Sequence, residues 1–210
     1  KKKKRKMINQ TIIIGITGSI ATGKSTYINK LIKEFSPEYC DADKLVHTLY
    51  EPGKPAYDRI IDIFGNEIID NKTQYIDRKK LGSIVFKDKA LMKKLTDAIG
   101  DIGTEVKNVV DGWIKNKKSI GIVEAVNLIE ANYIEWCDHV WLFKVDDNIA
   151  LNRLIKRNNL SKAEAKKRIN SQTSWEKRSE YSNLIMDTDD KLENVYKKLK
   201  ENYIKILNLQ

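Results

Sequence analysis

Apolar positions along this chain fall into two rhythms that alternate from end to end. Short, nearly unbroken runs at Thr11-Ile-Ile-Ile-Gly15, Ser119-Ile-Gly-Ile-Val123 and His139-Val-Trp-Leu-Phe-Lys-Val145, with a weaker one at Asn183-Leu-Ile-Met186, have the composition of strands buried on both faces. Elsewhere apolar residues recur at three- and four-residue steps: Tyr27, Ile28, Leu31, Ile32 and Phe35 predict a helix over 24–35 with one buried face. Strands separated by helical stretches predict an α/β fold with a parallel sheet and crossover helices.

The same periodicity predicts two helical additions. Residues 54–117 contain Leu81, Ile84, Val85, Leu91 and Leu95 at helical spacing among many lysines, and are expected to form a substrate-binding insertion. Residues 149–180 predict a charged helical pair, 150–157 and 162–180, joined at Asn158-Asn-Leu-Ser161, where Ser161 and Glu164 form a capping box; a basic hairpin here suits a lid. A chain of 210 residues, 41% of them hydrophobic, can bury one sizeable core and a small subdomain. The expected layout is one domain over 7–210 with its core in about 11–50, 118–148 and 181–210. Pro37, Pro52 and Pro55 all read as turn residues.

Charge changes this picture little. The formal net charge is +10, but six of those charges lie in Lys1-Lys-Lys-Lys-Arg-Lys6, leaving +4 for the rest (10 − 6). Residues 1–6 read as a basic extension or cloning remnant, and no specific nucleic-acid partner is expected. Cys40 and Cys137 have neither metal-ligand spacing nor paired histidines, and read as reduced and buried. No apolar run approaches the roughly twenty residues that span a bilayer, so a cytoplasmic protein with no membrane partner, monomeric or weakly homo-oligomeric, is expected. His47 and His139 read as structural, and the four tryptophans as packing residues.

Candidate chemistry begins where the first strand ends. Gly18-Ser19-Ile20-Ala21-Thr22-Gly23-Lys24-Ser25 matches G-x-x-x-x-G-K-[ST], and it lies between a buried strand and a helix, the context a phosphate loop requires. The glycines let the backbone curl so that N–H groups face a phosphate at the positive end of the helix. Lys24 is expected to reach the β- and γ-phosphates of ATP and the Ser25 hydroxyl to ligate Mg2+. The motif identifies the phosphoryl donor but not the acceptor.

A small-molecule kinase needs a carboxylate at the tip of the next strand to take a proton from the acceptor hydroxyl. Asp41 and Asp43 follow Glu38-Tyr-Cys40 and supply two candidates, each of which could equally cap the next helix. Glu124 ends a predicted strand where such enzymes hold a carboxylate that meets the metal through water; a capped strand end is the other reading. Arg153 and Arg157 lie one helical turn apart, either as a clamp on the transferring phosphoryl or as a solvated face.

Gly15-Ile-Thr-Gly-Ser-Ile-Ala-Thr-Gly-Lys-Ser-Thr26 followed by Asp41-Ala-Asp43 resembles the opening of the dephospho-CoA kinases. Glu51-Pro-Gly-Lys-Pro-Ala56, Ile76-Asp-Arg-Lys-Lys-Leu-Gly82, Arg153-Leu-Ile-Lys-Arg157 and Arg168-Ile-Asn-Ser-Gln172 stand in that family's order. The resemblance implies a three-layer P-loop kinase sandwich on a five-stranded parallel sheet, with a helical substrate-binding insertion and a helical lid. It implies Asp43, Lys24 and Arg153 as catalytic residues, and nucleotide binding by residues 18 to Thr26 with Arg157. Thr17, Asp41, Asp43 and Arg78 would bind the acceptor, and Ser25 and Glu124 the metal. The implied reaction phosphorylates the ribose 3′-hydroxyl of dephospho-CoA. A kinase of another nucleoside or small metabolite, or a non-catalytic nucleotide-binding module, are the competing readings. The chain departs from the family pattern at Ser19, Ile99-Gly-Asp101, Val126-Asn-Leu-Ile-Glu130 and Ser182-Asn183, which are expected to line or support the acceptor site.

Overall fold

The computed structural model describes residues 10–209; the basic run at 1–6 lies outside them. The chain divides into two compact units, one formed by the chain up to Cys40 and from Val109 on, the other by Asp41–Asn108. In the first, five strands form one sheet: β1 (Ile12–Gly18), β2 (Glu38–Asp41), β3 (Ile120–Glu124), β4 (His139–Lys144) and β5 (Leu184–Asp187), in the order β2-β3-β1-β4-β5. β1 runs parallel to both neighbours, with Ile12 opposite Ile120 and Gly18 opposite Phe143, and β4 runs parallel to β5.

The central position of β1 explains its composition. All seven residues are buried, so an unbroken apolar run is what the sheet demands. The strand continues to Gly18 instead of stopping at Gly15, because Ile16 and Thr17 are also fully buried. The chain leaves β1 to build one side of the sheet through β3 and then returns to build the other, so the loop after β1 emerges at a topological switch point, between the carboxyl ends of β3 and β4.

The loop leads into α1 (Lys24–Phe35), the helix its periodicity predicts. Tyr27, Ile28 and Leu31 pack on Ile14, Ile16, Trp141 and Phe143 of the sheet, together with Val195, Leu199 and Tyr203 of α10 (Leu192–Leu207). Gly18 must be glycine for a steric reason. A Cβ there would lie 2.7 Å from the Phe143 carbonyl oxygen and 2.9 Å from Phe143 Cβ, and that carbonyl is also tied to Ser19 N–H at 3.2 Å. Backbone cannot give way as a flexible side chain can. Gly18→Ala is therefore expected to destabilise the protein by about 2 kcal/mol, read as a lower denaturation midpoint at unchanged slope.

Two helices and a fragment follow the sheet's fourth strand: α7 (Asp147–Asn158), α8 (Lys162–Asn170) and α9 (Trp175–Ser179). The capping box is present as expected, with Ser161 Oγ accepting from Glu164 N–H and the Glu164 carboxylate accepting from Ser161 N–H. The single helix expected over 162–180 is instead interrupted at 171–174. Ser171-Gln-Thr-Ser174 is polar throughout and competes with helical bonding; Ser171 Oγ donates to Arg168 O at 2.8 Å and Gln172 Oε1 accepts from Ile20 N–H.

The second unit is helical: α2 (Ala42–Thr48), α3 (Pro55–Phe64), α4 (Arg78–Val85) and α5 (Lys89–Ile99), with α6 (Ile102–Lys115) running through its end. It runs over Asp41–Asn108, and Val46 and Tyr50 join a core of Ile60, Ile68, Ile76, Leu81 and Val85. Pro55 opens α3 at its first turn, where a missing N–H costs nothing, instead of sitting in a turn. Asp77 and Asp88 cap α4 and α5. No helix among the described residues is long and apolar enough to cross a membrane.

Candidate active site at the phosphate loop

Residues Gly18 to Thr26, with Val126 and Arg157, line a cavity of about 280 Å³. Ala21 (φ +62°) and Gly23 (φ +74°) are left-handed while Thr22 between them is not, the kind of alternation with which a loop can turn its amides toward an anion. Gly23 occupies the N-cap of α1 without any side-chain cap, so the amide donors of the first turn are not claimed by a capping side chain. Two amides of the motif have other work. Ser19 N–H donates to Phe143 O, and Ile20 N–H donates to Gln172 Oε1 at 2.8 Å. Within the stretch 18–26 expected to bind nucleotide, the amides of Ser19 and Ile20 are thus engaged by the protein itself.

Lys24 and Glu124 are both buried, 8% and 4% exposed, and form an ion pair through Nζ and Oε1. The second carboxylate oxygen accepts from Tyr39 OH at 2.6 Å. Glu124 thus holds the phosphate-loop lysine, a role outside both of its expected readings. Burial of two charges is tolerable here because each is paired and the remaining oxygen is hydrogen-bonded. Ser25 follows Lys24 in the first turn of α1 and is exposed. Thr17 is wholly buried and its hydroxyl donates to Val126 O at 2.9 Å, tying β1 to the loop after β3.

Arg153 and Arg157 share a face of α7, but their contacts differ. Arg153 donates from Nη1 to Ala21 O at 3.1 Å and from Nη2 to Thr188 O at 3.2 Å. Arg157 donates from Nε to Asn158 Oδ1 and lines the phosphate-loop cavity. The guanidinium expected to meet the transferring phosphoryl is, in Arg153, bonded to the loop's backbone.

In the second unit, Asp41 is the N-cap of α2. Its carboxylate accepts from Lys44 N–H at 3.0 Å and pairs with Lys44 Nζ at 2.8 Å. Asp43 lies exposed in the first turn of the same helix, so capping falls to the first aspartate. Arg78 heads α4 directly after its cap. His47 bonds through Nδ1 to Tyr50 OH and senses the charges of Arg78, Asp41 and Asp43; burial first, then the Arg78 cation, hold its imidazole below the usual range, against the pull of the two aspartates. His47 therefore stands among the acceptor-side candidates, which its lone position in the sequence does not reveal.

The departures from the family pattern have structural partners. Glu130 pairs with Arg178, itself 2% exposed, at 2.9 Å. Asn183 Oδ1 accepts from Val140 N–H at 2.7 Å at the start of β4, and Ser182 Oγ donates to Arg178 O. Asp101 accepts from the Thr104 amide and hydroxyl where α6 begins. Asp101 and Asn183 thus hold the starts of a helix and a strand, and Glu130 pairs a buried arginine. Neither cysteine is in a disulfide; the Cys137 thiol is pushed up to about 12, by burial and then by neighbouring Asp138.

A family model described as dephospho-CoA kinase matches residues 12–194. The dephospho-CoA kinase of Oceanobacillus iheyensis is 37% identical over 184 residues, 87% of this chain and 92% of that one. That of Prochlorococcus marinus is 35% identical over 190 residues, covering 89% and 92%. Among solved structures, a Thermus thermophilus protein superposes with a TM-score of 0.73 at 23% identity, covering 93% of this chain and 98% of that one. The dephospho-CoA kinase of Campylobacter jejuni gives 0.67 at 22% identity, covering 93% and 97%. These two likenesses establish the shared fold, while the match to the family model takes in β1, the phosphate loop and all five strands: the chain belongs to the dephospho-CoA kinase family.

Proposed function

We propose that this protein transfers the γ-phosphoryl group of ATP to the ribose 3′-hydroxyl of dephospho-CoA, giving coenzyme A and ADP. Family membership supports the acceptor, and the buried Lys24 beside the left-handed turns of the phosphate loop supports the donor. Hard oxygen donors suit Mg2+, and the Ser25 hydroxyl and the Glu124 carboxylate fit that requirement. Among the described residues no group of three or more His, Cys, Asp or Glu could hold a metal by itself, which suits an ion that keeps phosphate oxygens and waters as its other ligands. When bound, Mg2+ would neutralise charge developing on the phosphate oxygens.

The chain's own groups have the remaining roles. Lys24 exchanges its Glu124 partner for the β- and γ-phosphate oxygens, and amides of residues 22–25 hold the same phosphates. Asp43 accepts the proton of the 3′-hydroxyl as it attacks phosphorus. Arg78, Asp41 and Thr17 support the acceptor side, and Arg157 with Arg153 the nucleotide side. The helical region within 54–117 serves as the acceptor-binding insertion and 149–180 as the lid. A cytoplasmic enzyme, monomeric or weakly homo-oligomeric, without nucleic-acid or membrane partners, fits this reading.

The purified protein with ATP, Mg2+ and dephospho-CoA is expected to release ADP and coenzyme A in equal amounts, followed by chromatography of both products. ADP release with a different hydroxyl acceptor and none with dephospho-CoA would reassign the acceptor; nucleotide binding without any turnover would leave a binding module.

A further inference from the structure

The least comfortable residue of the phosphate loop is held from both sides by the segment 149–180. Ala21 has φ +62°, a left-handed conformation that crowds a Cβ and that glycine adopts freely. Just before it, Ile20 N–H donates to Gln172 Oε1 at 2.8 Å; on Ala21 itself, the carbonyl accepts from Arg153 Nη1 at 3.1 Å. The two contacts fix the peptide groups that bracket the Ile20 and Ala21 dihedrals. Only the side-chain oxygen of Gln172 can accept from an amide N–H, so the contact itself sets the orientation of that side chain. The turn at 171–174 that ends α8 is also what delivers Gln172 to the loop.

We infer that Gln172 is a positioning residue for the nucleotide: with Arg153 it keeps Ala21 left-handed, and so keeps the following amides, Thr22 through Ser25, turned toward the phosphates. This rests on the reading of residues 18–26 as the ATP site. It makes the segment 149–180 more than a cover. Whatever shifts the end of α8 also changes the phosphate loop, because the two are joined at a backbone N–H 152 positions away in sequence.

A thermodynamic cycle tests this. Gln172→Met keeps the length of the side chain and removes the acceptor, while Ala21→Gly relieves the crowding the contact opposes. In calorimetric titrations with MgATP, Gln172→Met is expected to raise Kd about fivefold, the size of one backbone hydrogen bond. With Ala21→Gly already present, the same change should cost less than about twofold, since glycine enters the left-handed conformation without the steric penalty that the contact offsets. The KM for dephospho-CoA should not move, and thermal melts of all four proteins identify any variant that has simply lost structure; Gln172→Ala, which also lacks the acceptor, should repeat the pattern. Equal losses with and without Ala21→Gly, or a Gln172→Met protein that binds MgATP like the parent, would overturn the inference. A parent that binds no MgATP would instead overturn the nucleotide reading beneath it.

Discussion

Asp43→Asn is expected to lower kcat about a thousandfold while leaving MgATP binding within about twofold of the parent, the range that general-base catalysis commands. The carboxamide keeps the size of the carboxylate but cannot take up the proton released by the attacking hydroxyl. The neighbouring aspartate provides the comparison that gives this test its meaning. Asp41 accepts from Lys44 N–H and pairs with its ammonium, so its carboxylate is committed to starting α2. Asparagine is as good a helix cap as aspartate, and Asp41→Asn should leave stability nearly unchanged. Asp41→Ala should cost about 1 kcal/mol of stability through loss of the cap, with a much smaller effect on kcat than Asp43→Asn. Product formation under saturating substrates, with calorimetry for MgATP, separates these outcomes. If Asp43→Asn retained turnover within about threefold of the parent, Asp43 would not be the base.

The division of labour between the two aspartates was half legible in the sequence. Either could cap, and only the position of the β2–α2 junction, one residue after Cys40, assigns the cap to Asp41. Contacts close in sequence were the readable ones. The strand, loop and α1 follow from a run of apolar residues, two glycines and a helical period, all within 12–35, and the Ser161–Glu164 box spans three positions. The ties that shape the site span far more chain: 100 positions from Lys24 to Glu124, 85 from Tyr39 to Glu124 and 152 from Ile20 to Gln172. Nothing local distinguishes Tyr39 from a core aromatic or Gln172 from a surface residue of a charged helix. Gln172 did carry a signal, since it closes the Arg168-Ile-Asn-Ser-Gln172 motif, but the motif does not say what the amide bonds to. The helix break at 171–174 was hidden for a similar reason: its polar residues also suit the exposed face of a helix, and only their actual partners show that the helix stops.

Lys24→Met should damage activity and stability together, through separable causes. The ammonium supplies charge to the phosphates in the transition state, and its loss is expected to lower kcat/KM by about a thousandfold, the scale found when one charged donor is removed from a site of this kind. Stability should fall by about 3 kcal/mol, because the Glu124 carboxylate, with a side chain only 6% exposed, would lose its buried counter-charge and keep the bond from Tyr39 OH. A second change, Glu124→Gln, removes the stranded charge while keeping an oxygen that can accept from Tyr39 OH. The double variant should therefore recover most of the lost stability, as replacing both members of a buried pair commonly does. It should recover none of the activity, because the phosphates still lack their cation and the metal side has lost a carboxylate. Denaturant midpoints and kcat/KM measured on the parent, both single variants and the double variant carry the test. A double variant as unstable as Lys24→Met would mean that the pair is not what stabilises this corner of the sheet; one that regained turnover would mean that Lys24 serves Glu124 and not the phosphates.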